Sequence, residues 1–520
     1  MLARIHPALK GLRGVVEAPS SKNYTTRYIL AACLADGRKV CSRRPVVIER
    51  PAVQEDSVAL VRCCRQFGAR ITAFAGKQEV EFSLENAAAI DRVEVVGFGN
   101  RPKTPSEPVD PANAGTVLRL LLGVGALCDG PVTFVTEEYE YSLGRRPNRD
   151  LLEALRHMGV EVEARGAEGM LPITLTGGRE RIKRALARQR LSLGIAPDAP
   201  VPIPVSGEVS SQFVSSLLFM APLLGEAIRI DVRDDLKSRP LIATTLQVLA
   251  RFQVEGIAAT NLDRPPALPS ITLPAGLRYL GGLEHVGIGG VFRVNGDWPG
   301  SAAILAAAAA VPGSDIAVKG LFLDEDGDEQ GEKLCQVYYG ALGCKTGPHP
   351  SLDEGRSRNG RVIQLVSPER LLARNPEGSK VEGMRINGDM CTDAVLAMMG
   401  AAALVDGRSI FTGVRNLQFK ECDRIREPIE ELRRIAGTDA IATWEPDDEP
   451  DTITVDGCPG GFDGGITVDG RGDHRVIMML SIVGLRCRKG LSIAGAEHVA
   501  KSFPAWFDTL RALGAQIDLV

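Results

Sequence analysis

Hydrophobic and polar positions alternate along this chain in one recurring phrase. A short polar cluster comes first, then a helix-length run of small apolar residues, one glycine, and a β-branched strand. The glycines that close the runs are Gly37, Gly130, Gly225, Gly313, Gly407 and Gly490, and their spacing of roughly 90 residues marks an internal repeat. The clusters that open the runs are Ser20-Ser21-Lys22-Asn23, Asn113-Ala114-Gly115-Thr116, Ser210-Ser211-Gln212, Asp297-Trp298-Pro299-Gly300-Ser301, Thr392-Asp393 and Asp473-His474-Arg475. Ser, Asn, Asp and Thr cap helix starts and glycine stops a helix, so the phrase predicts six helices with caps at one end and a C′ glycine at the other. The runs, such as Ala302 to Ala310 and Ala394 to Leu404, are apolar on every side, which predicts buried helices rather than surface ones.

A buried helix still presents unpaired N–H groups and a positive dipole end at its start. Several such starts facing one space would trap an anion. Lys22, Arg27, Arg119 and Arg475 stand at or near those starts, and capping alone does not call for them.

Composition narrows this picture. A chain of 520 residues exceeds what one core supports, so two domains or more are expected. The net charge of −4 provides no general field for nucleic acid or an anionic membrane, so an anion site must be local. Eleven cysteines without CxxC spacing read as reduced thiols, and six scattered histidines form no zinc pattern, so no protein-built zinc site is expected. No membrane-length apolar run and no basic-then-apolar leader is visible, and the cytoplasm is the expected location.

Repeats one to three fill the first half and four to six the second, which predicts a mixed α/β protein of two pseudo-symmetric domains with a boundary near Val294-Asn295-Gly296-Asp297. Asp150–Met158 and Pro428–Ile435 read as second, amphipathic helices of their repeats. The stretches 176–205, 258–290, 345–385 and 440–465, rich in Arg, Pro, Asp and Gly, are expected to be surface insertions.

The clusters also carry a resemblance. Ala18-Pro19-Ser20-Ser21-Lys22-Asn23-Tyr24-Thr25-Thr26-Arg27, Asn113-Ala114-Gly115-Thr116, Arg146-Pro147 and Val209-Ser210-Ser211-Gln212-Phe213 resemble, in order, the signatures of the 5-enolpyruvylshikimate-3-phosphate synthase family. So do Ser238-Arg239-Pro240, Lys420-Glu421-Cys422-Asp423-Arg424, Asp473-His474-Arg475 and Lys501-Ser502-Phe503-Pro504. The resemblance implies a two-domain, inside-out α/β barrel of six βαβαββ repeats, with residues 22–295 as one lobe, 1–21 plus 296–520 as the other, and the active site in the cleft between them.

The implied reaction moves the enolpyruvyl group of phosphoenolpyruvate onto the 5-hydroxyl of shikimate 3-phosphate and releases phosphate. By position, Lys22, Gly115, Arg146, Gln212, Arg424, Arg475 and Lys501 resemble the phosphoenolpyruvate-binding set; separated cations suit a phosphate and a carboxylate on one small molecule. Lys22, Asn23, Arg27, Ser210, Ser211, Gln212, Ser238, Asp393, Asn416 and Lys420 fall where the family holds shikimate 3-phosphate. Asp393 resembles the base that takes the 5-hydroxyl proton, and Glu421 with Lys22 would manage the proton at the phosphoenolpyruvate methylene. The implied reaction requires no metal or redox cofactor, because Arg and Lys stabilise the leaving phosphate, and a monomer is expected. The chain departs from the common signatures at Ser20, Asn23, Leu120 and Leu241, changes that bear on the acceptor.

Two rival readings are open at this level. Lys22-Asn23 and Leu143-Gly144-Arg145-Arg146-Pro147 also resemble the sister family acting on UDP-N-acetylglucosamine, but Tyr141-Ser142-Leu143 lacks its usual cysteine. A catalytically silent binding protein would be expected to lose Asp393, Glu421 and Lys22, which are present.

Overall fold

The computed structural model describes residues 1–35, 45–137, 139, 142–262, 267–279, 290–355, 357–373, 383–448 and 451–520. The chain divides into two compact units, Ser21–Val294 and Met1–Ser20 with Asn295–Val520. Six central helices carry the apolar runs. They are α1 (Lys22–Leu34), α2 (Gly115–Gly125) and α3 (Gln212–Leu224) in the first unit, and α4 (Trp298–Ala310), α5 (Val395–Ala402) and α6 (His474–Gly484) in the second. Every residue of α4, α5 and α6 is buried. In α1, α2 and α3 the residues that are not fully buried are Lys22, Thr116 and Gln212, each in the first turn.

Each unit holds three small sheets built on one plan. Strand Val201–Val205 is followed by α3, strand Ile228–Val232, helix Arg239–Arg251, and strands Ala258–Thr260 and Ser270–Leu273. The first two strands pair in parallel, from Val201↔Ile228 to Val205↔Val232, because the intervening helix returns the chain to the same end. Ser270–Leu273 and Ala258–Thr260 then add antiparallel. The second unit repeats the plan with Met384–Asn387, α5, Arg408–Thr412, helix Arg426–Ala436, Ala442–Glu445 and Thr452–Asp456. Its last sheet takes a strand from the beginning of the chain, with Leu2 opposite Ala494 and Ile5 opposite Leu491.

Small residues let the central helices approach closely: a Cβ on Gly123 of α2 would lie 2.8 Å from Ser216 Oγ of α3, and one on Gly400 of α5 would lie 3.1 Å from Met479 O of α6. Helices Arg149–His157 and Arg426–Ala436 bury one face each, matching their amphipathic pattern. Among the described residues no helix is long and apolar enough to cross a membrane.

The structure differs from the sequence reading in three ways. The four stretches taken for insertions supply sheet strands instead. Val201–Val205, Ser270–Leu273, Arg361–Val366 and Thr452–Asp456 all lie in them and bury alternate or most residues, while 263–266, 280–289 and 374–382 lie outside the described residues. The Arg content of 176–205 belongs to a helix, Arg179–Leu193. Second, Gly225 alone among the described closing glycines stops its helix directly, with φ of 73°. Gly490 lies several residues past α6; its role is close approach, since a Cβ there would meet Ile5 O at 2.7 Å. Gly37 lies outside the described residues. Third, side-chain caps are made at α1 by Ser21, at α4 by Asp297 and at α6 by Asp473. At α5 the N-cap position is Ala394, because a short helix, Gly388–Ala394, already contains Asp393.

Candidate active site

In the Ser21–Val294 unit the candidate residues gather at the starts of α1, α2 and α3. Ser21 Oγ accepts the Tyr24 N–H at 3.5 Å and begins α1, which sets Lys22 and Asn23 in its first turn. Lys22 Nζ pairs with Asp56 Oδ2 at 3.1 Å. One turn on, Arg27 is fully buried and donates to Thr245 Oγ1 at 2.8 Å, Asn23 O at 3.1 Å and Leu241 O at 3.3 Å. Thr245 Oγ1 also lies 2.9 Å from Ser215 Oγ, so the chain of contacts runs from α1 through helix Arg239–Arg251 to α3. Burial pulls the Arg27 pKa down to about 10, because its partners are dipoles rather than carboxylates. Ser238, the N-cap of helix Arg239–Arg251, is buried with φ of 52°, a conformation an L-residue holds at a cost.

Gly115 opens α2 and makes room for Arg146: a Cβ on it would stand 2.5 Å from Arg146 Nη1. The organiser of this corner is Arg119. It donates to Ser210 Oγ and Gln212 Oε1, each at 3.0 Å, to Pro147 O at 3.2 Å and to Asn148 Oδ1 at 3.4 Å, with its guanidinium 5.0 Å from the Phe213 ring centre. Gln212 Nε2 donates to Thr116 Oγ1 at 2.7 Å. Arg119 thereby ties the Arg146–Asn148 turn to the start of α3. Ser211 is buried at the α3 N-cap position, without a side-chain capping bond.

In the other unit the candidates form a tight ionic group. Arg424 donates to Asp473 Oδ2 at 2.7 Å, Glu421 Oε2 at 2.7 Å and Asp393 Oδ1 at 3.3 Å. Lys501 Nζ lies 3.3 Å from Glu421 Oε1. Burial alone would lower the Arg424 pKa, but Asp473, Glu421 and Asp393 outweigh it and raise it. Asp473 does double duty, since its Oδ1 also accepts the Arg475 N–H at 2.8 Å and begins α6. The Arg475 side chain is buried, and its Nε makes no hydrogen bond among the described residues. Asn416 is buried in the short helix Arg415–Phe419, and Lys420 follows it; Arg424 N–H donates to Leu417 O at 3.2 Å and closes this loop. Asp423 Oδ1 accepts from Ile425 N–H and Arg426 N–H, both at 3.1 Å, and starts the helix beyond.

A family model described as EPSP synthase (3-phosphoshikimate 1-carboxyvinyltransferase) matches residues 8–510. The chain belongs to the EPSP synthase family. A 3-phosphoshikimate 1-carboxyvinyltransferase from Deinococcus radiodurans is 36% identical over 517 residues, covering 99% of this chain and 96% of that one. One from Halorubrum lacusprofundi is 31% identical, covering 98% and 97%. Among solved structures, EPSP synthase from Acinetobacter baumannii superposes with a TM-score of 0.69 at 20% identity, covering all of both chains. The enolpyruvyl transferase NikO from Streptomyces tendae superposes at 0.63 with 14% identity, covering 99% and 98%. The structural likenesses bear on the fold, which is the two-domain α/β fold of these enzymes.

Sequence reasoning missed one neighbour of this family site, Glu332. It is buried, and its Oε1 accepts the Asp393 N–H at 3.4 Å. It closes the acid-rich run from Asp324, which reads as a solvated loop; nothing local sets it apart from Glu325 or Glu329.

Proposed function

We propose that this enzyme transfers the enolpyruvyl group of phosphoenolpyruvate to the 5-hydroxyl of shikimate 3-phosphate, releasing phosphate. The observation that carries the reading is the ionic group of Asp393, Arg424, Glu421 and Lys501: two carboxylates able to move protons, each held by a cation. Membership of the family over nearly the whole chain points the same way.

In this reading Asp393 takes the proton of the acceptor 5-hydroxyl. The Arg424 guanidinium lies 3.3 Å from its Oδ1. The acceptor oxygen bonds to the central carbon of phosphoenolpyruvate while the methylene gains a proton, which Glu421 and Lys22 manage between them. Loss of that proton and cleavage of the carbon–oxygen bond to phosphate then complete the exchange. Arg and Lys stabilise the leaving phosphate without help from a metal. Phosphoenolpyruvate is assigned to Lys22, Gly115, Arg146, Gln212, Arg424, Arg475 and Lys501. The acceptor is assigned to Lys22, Asn23, Arg27, Ser210, Ser211, Gln212, Ser238, Asp393, Asn416 and Lys420.

The test is phosphate release from phosphoenolpyruvate with shikimate 3-phosphate or UDP-N-acetylglucosamine as acceptor. Release with the first alone is expected. Release with the sugar nucleotide alone would move the protein to the sister branch, and tight binding of both substrates without release would make it a silent binder.

A further inference from the structure

Glu332 is a buried carboxyl that the reaction above does not use. Its short helix, Gly331–Lys333, is fastened to the start of α4. Asn295 Nδ2 donates to Asp328 Oδ2 at 2.7 Å, Gln330 N–H to Asp328 Oδ1 at 2.8 Å, and Gln330 Nε2 to Gly296 O at 2.9 Å. Gln330 Oε1 accepts the Trp298 N–H at 3.2 Å, and Lys333 pairs with Asp324 at 2.6 Å and Asp328 at 3.5 Å. A loop held this firmly does not put Glu332 against Asp393 by chance of rotamer.

The titratable and charged groups that face Glu332 come from several packed elements. Segment Gly388–Ala394 brings Asp393 and the thiol of Cys391, the start of α4 brings Asp297, the helix Leu334–Ala341 brings the thiol of Cys335, and α6 brings Arg475. Burial first, and Asp393 second, push the Glu332 carboxyl up to about 8, with Arg475 acting against them. A buried carboxylate beside another carboxylate is costly, and the simplest relief is a proton.

We propose, resting on the function proposed above, that Glu332 is a positioning residue that works in its protonated form. Neutral, it accepts the Asp393 N–H, fixes the segment that carries the base, and leaves Asp393 as the one negative charge of the pair. Ionised, it draws the Arg475 guanidinium toward itself and competes with the anionic groups of phosphoenolpyruvate for that cation. No further co-reactant is involved, since the step is loss of one proton to water.

The experiment compares wild type, Glu332→Gln and Glu332→Ala between pH 5 and pH 9.5. In wild type the KM for phosphoenolpyruvate rises above about pH 8, by up to about tenfold per pH unit for one ionisation. Glu332→Gln, which imitates the protonated acid, abolishes that rise. Glu332→Ala, which removes the acceptor for the Asp393 N–H, lowers kcat about tenfold at pH 7 through misplacement of the base. Melting temperature supplies a readout free of turnover. The folded state holds the Glu332 proton up to about pH 8 and the unfolded state loses it near the ordinary carboxyl value, so wild-type stability is lost as pH rises through that window. The gap between Glu332→Gln and wild type therefore widens from pH 5 to pH 8. A constant gap, or an alkaline KM rise retained in Glu332→Gln, overturns the proposal. If wild type releases phosphate with neither acceptor, the functional reading fails, and the melting comparison alone still decides whether Glu332 holds a proton.

Discussion

Arg27 and Arg424 are both buried guanidinium groups, one in each unit, with opposite surroundings. Around Arg27 stand a hydroxyl and two carbonyls, and burial pulls its pKa down to about 10. Around Arg424 stand Asp473, Glu421 and Asp393, and they raise its pKa against the same burial. A guanidinium cradled by dipoles keeps its full positive charge for an incoming anion. One surrounded by three carboxylates belongs to a group that is net negative until Lys501 and Arg475 are counted, a place suited to moving protons. The residue type and the burial are the same; the neighbours decide whether the guanidinium sits among dipoles or among carboxylates.

The largest effect that could break this contrast is in the acid–base group. Asp393→Asn keeps a hydrogen bond to Arg424 through its amide oxygen but cannot take a proton, and turnover is expected to fall about 10²–10⁴-fold. Because Ala394 rather than Asp393 holds the N-cap position of α5, no capping bond is lost, and the melting temperature should stay close to wild type. A wild-type rate in this variant would remove Asp393 from the chemistry.

Next comes Arg424→Met. It takes a shared cation from Asp473, Glu421 and Asp393, of which Glu421 keeps Lys501, and breaking a buried pair from one side costs about 3–5 kcal/mol. Melting curves of wild type and variant at pH 7 check this. A variant that melts close to wild type would mean that Arg424 does not hold this ionic group together.

The parts of this picture that were legible in the chain are local ones. All-round apolarity marked α4 and α5, and the Ser21, Asp297 and Asp473 caps stand beside α1, α4 and α6 in sequence. The strands inside the supposed insertions were hidden because their burial comes from partners. Arg361–Val366 is bracketed by polar turns, yet it lies between Asp315–Leu321 and Lys345–Pro348 in its sheet. The same holds in the candidate site. Lys420-Glu421-Cys422-Asp423-Arg424 shows as a motif, but the partner that anchors Arg424 is Asp473, far along the chain. Glu332 was invisible for the related reason that an acidic run gives no hint which member the fold will bury.

The smallest effect tests the other half of the contrast. Arg27→Met removes a buried charge while leaving its acceptors occupied. Leu241 O also accepts Thr245 Oγ1 at 2.9 Å, Asn23 O accepts Thr26 Oγ1 at 3.3 Å, and Thr245 Oγ1 keeps Ser215 Oγ. A base whose folded pKa is lowered binds its proton less well than in the unfolded chain, so its burial destabilises the fold in full below about pH 10, and this eases only as pH rises beyond that. Methionine fills most of the space without that cost, and a gain of about 1 kcal/mol at pH 7 is expected once imperfect packing is allowed for. On the proposed assignment of Arg27 to the acceptor, the same substitution should weaken shikimate 3-phosphate sharply in a calorimetric titration, because an anionic ligand would lose a charged partner. Stability and affinity would thus move in opposite directions, as they do where a site holds charge for a ligand rather than for the fold. If Arg27→Met instead melts well below wild type, Arg27 is as much a structural keystone as Arg424, and the distinction between the two units falls.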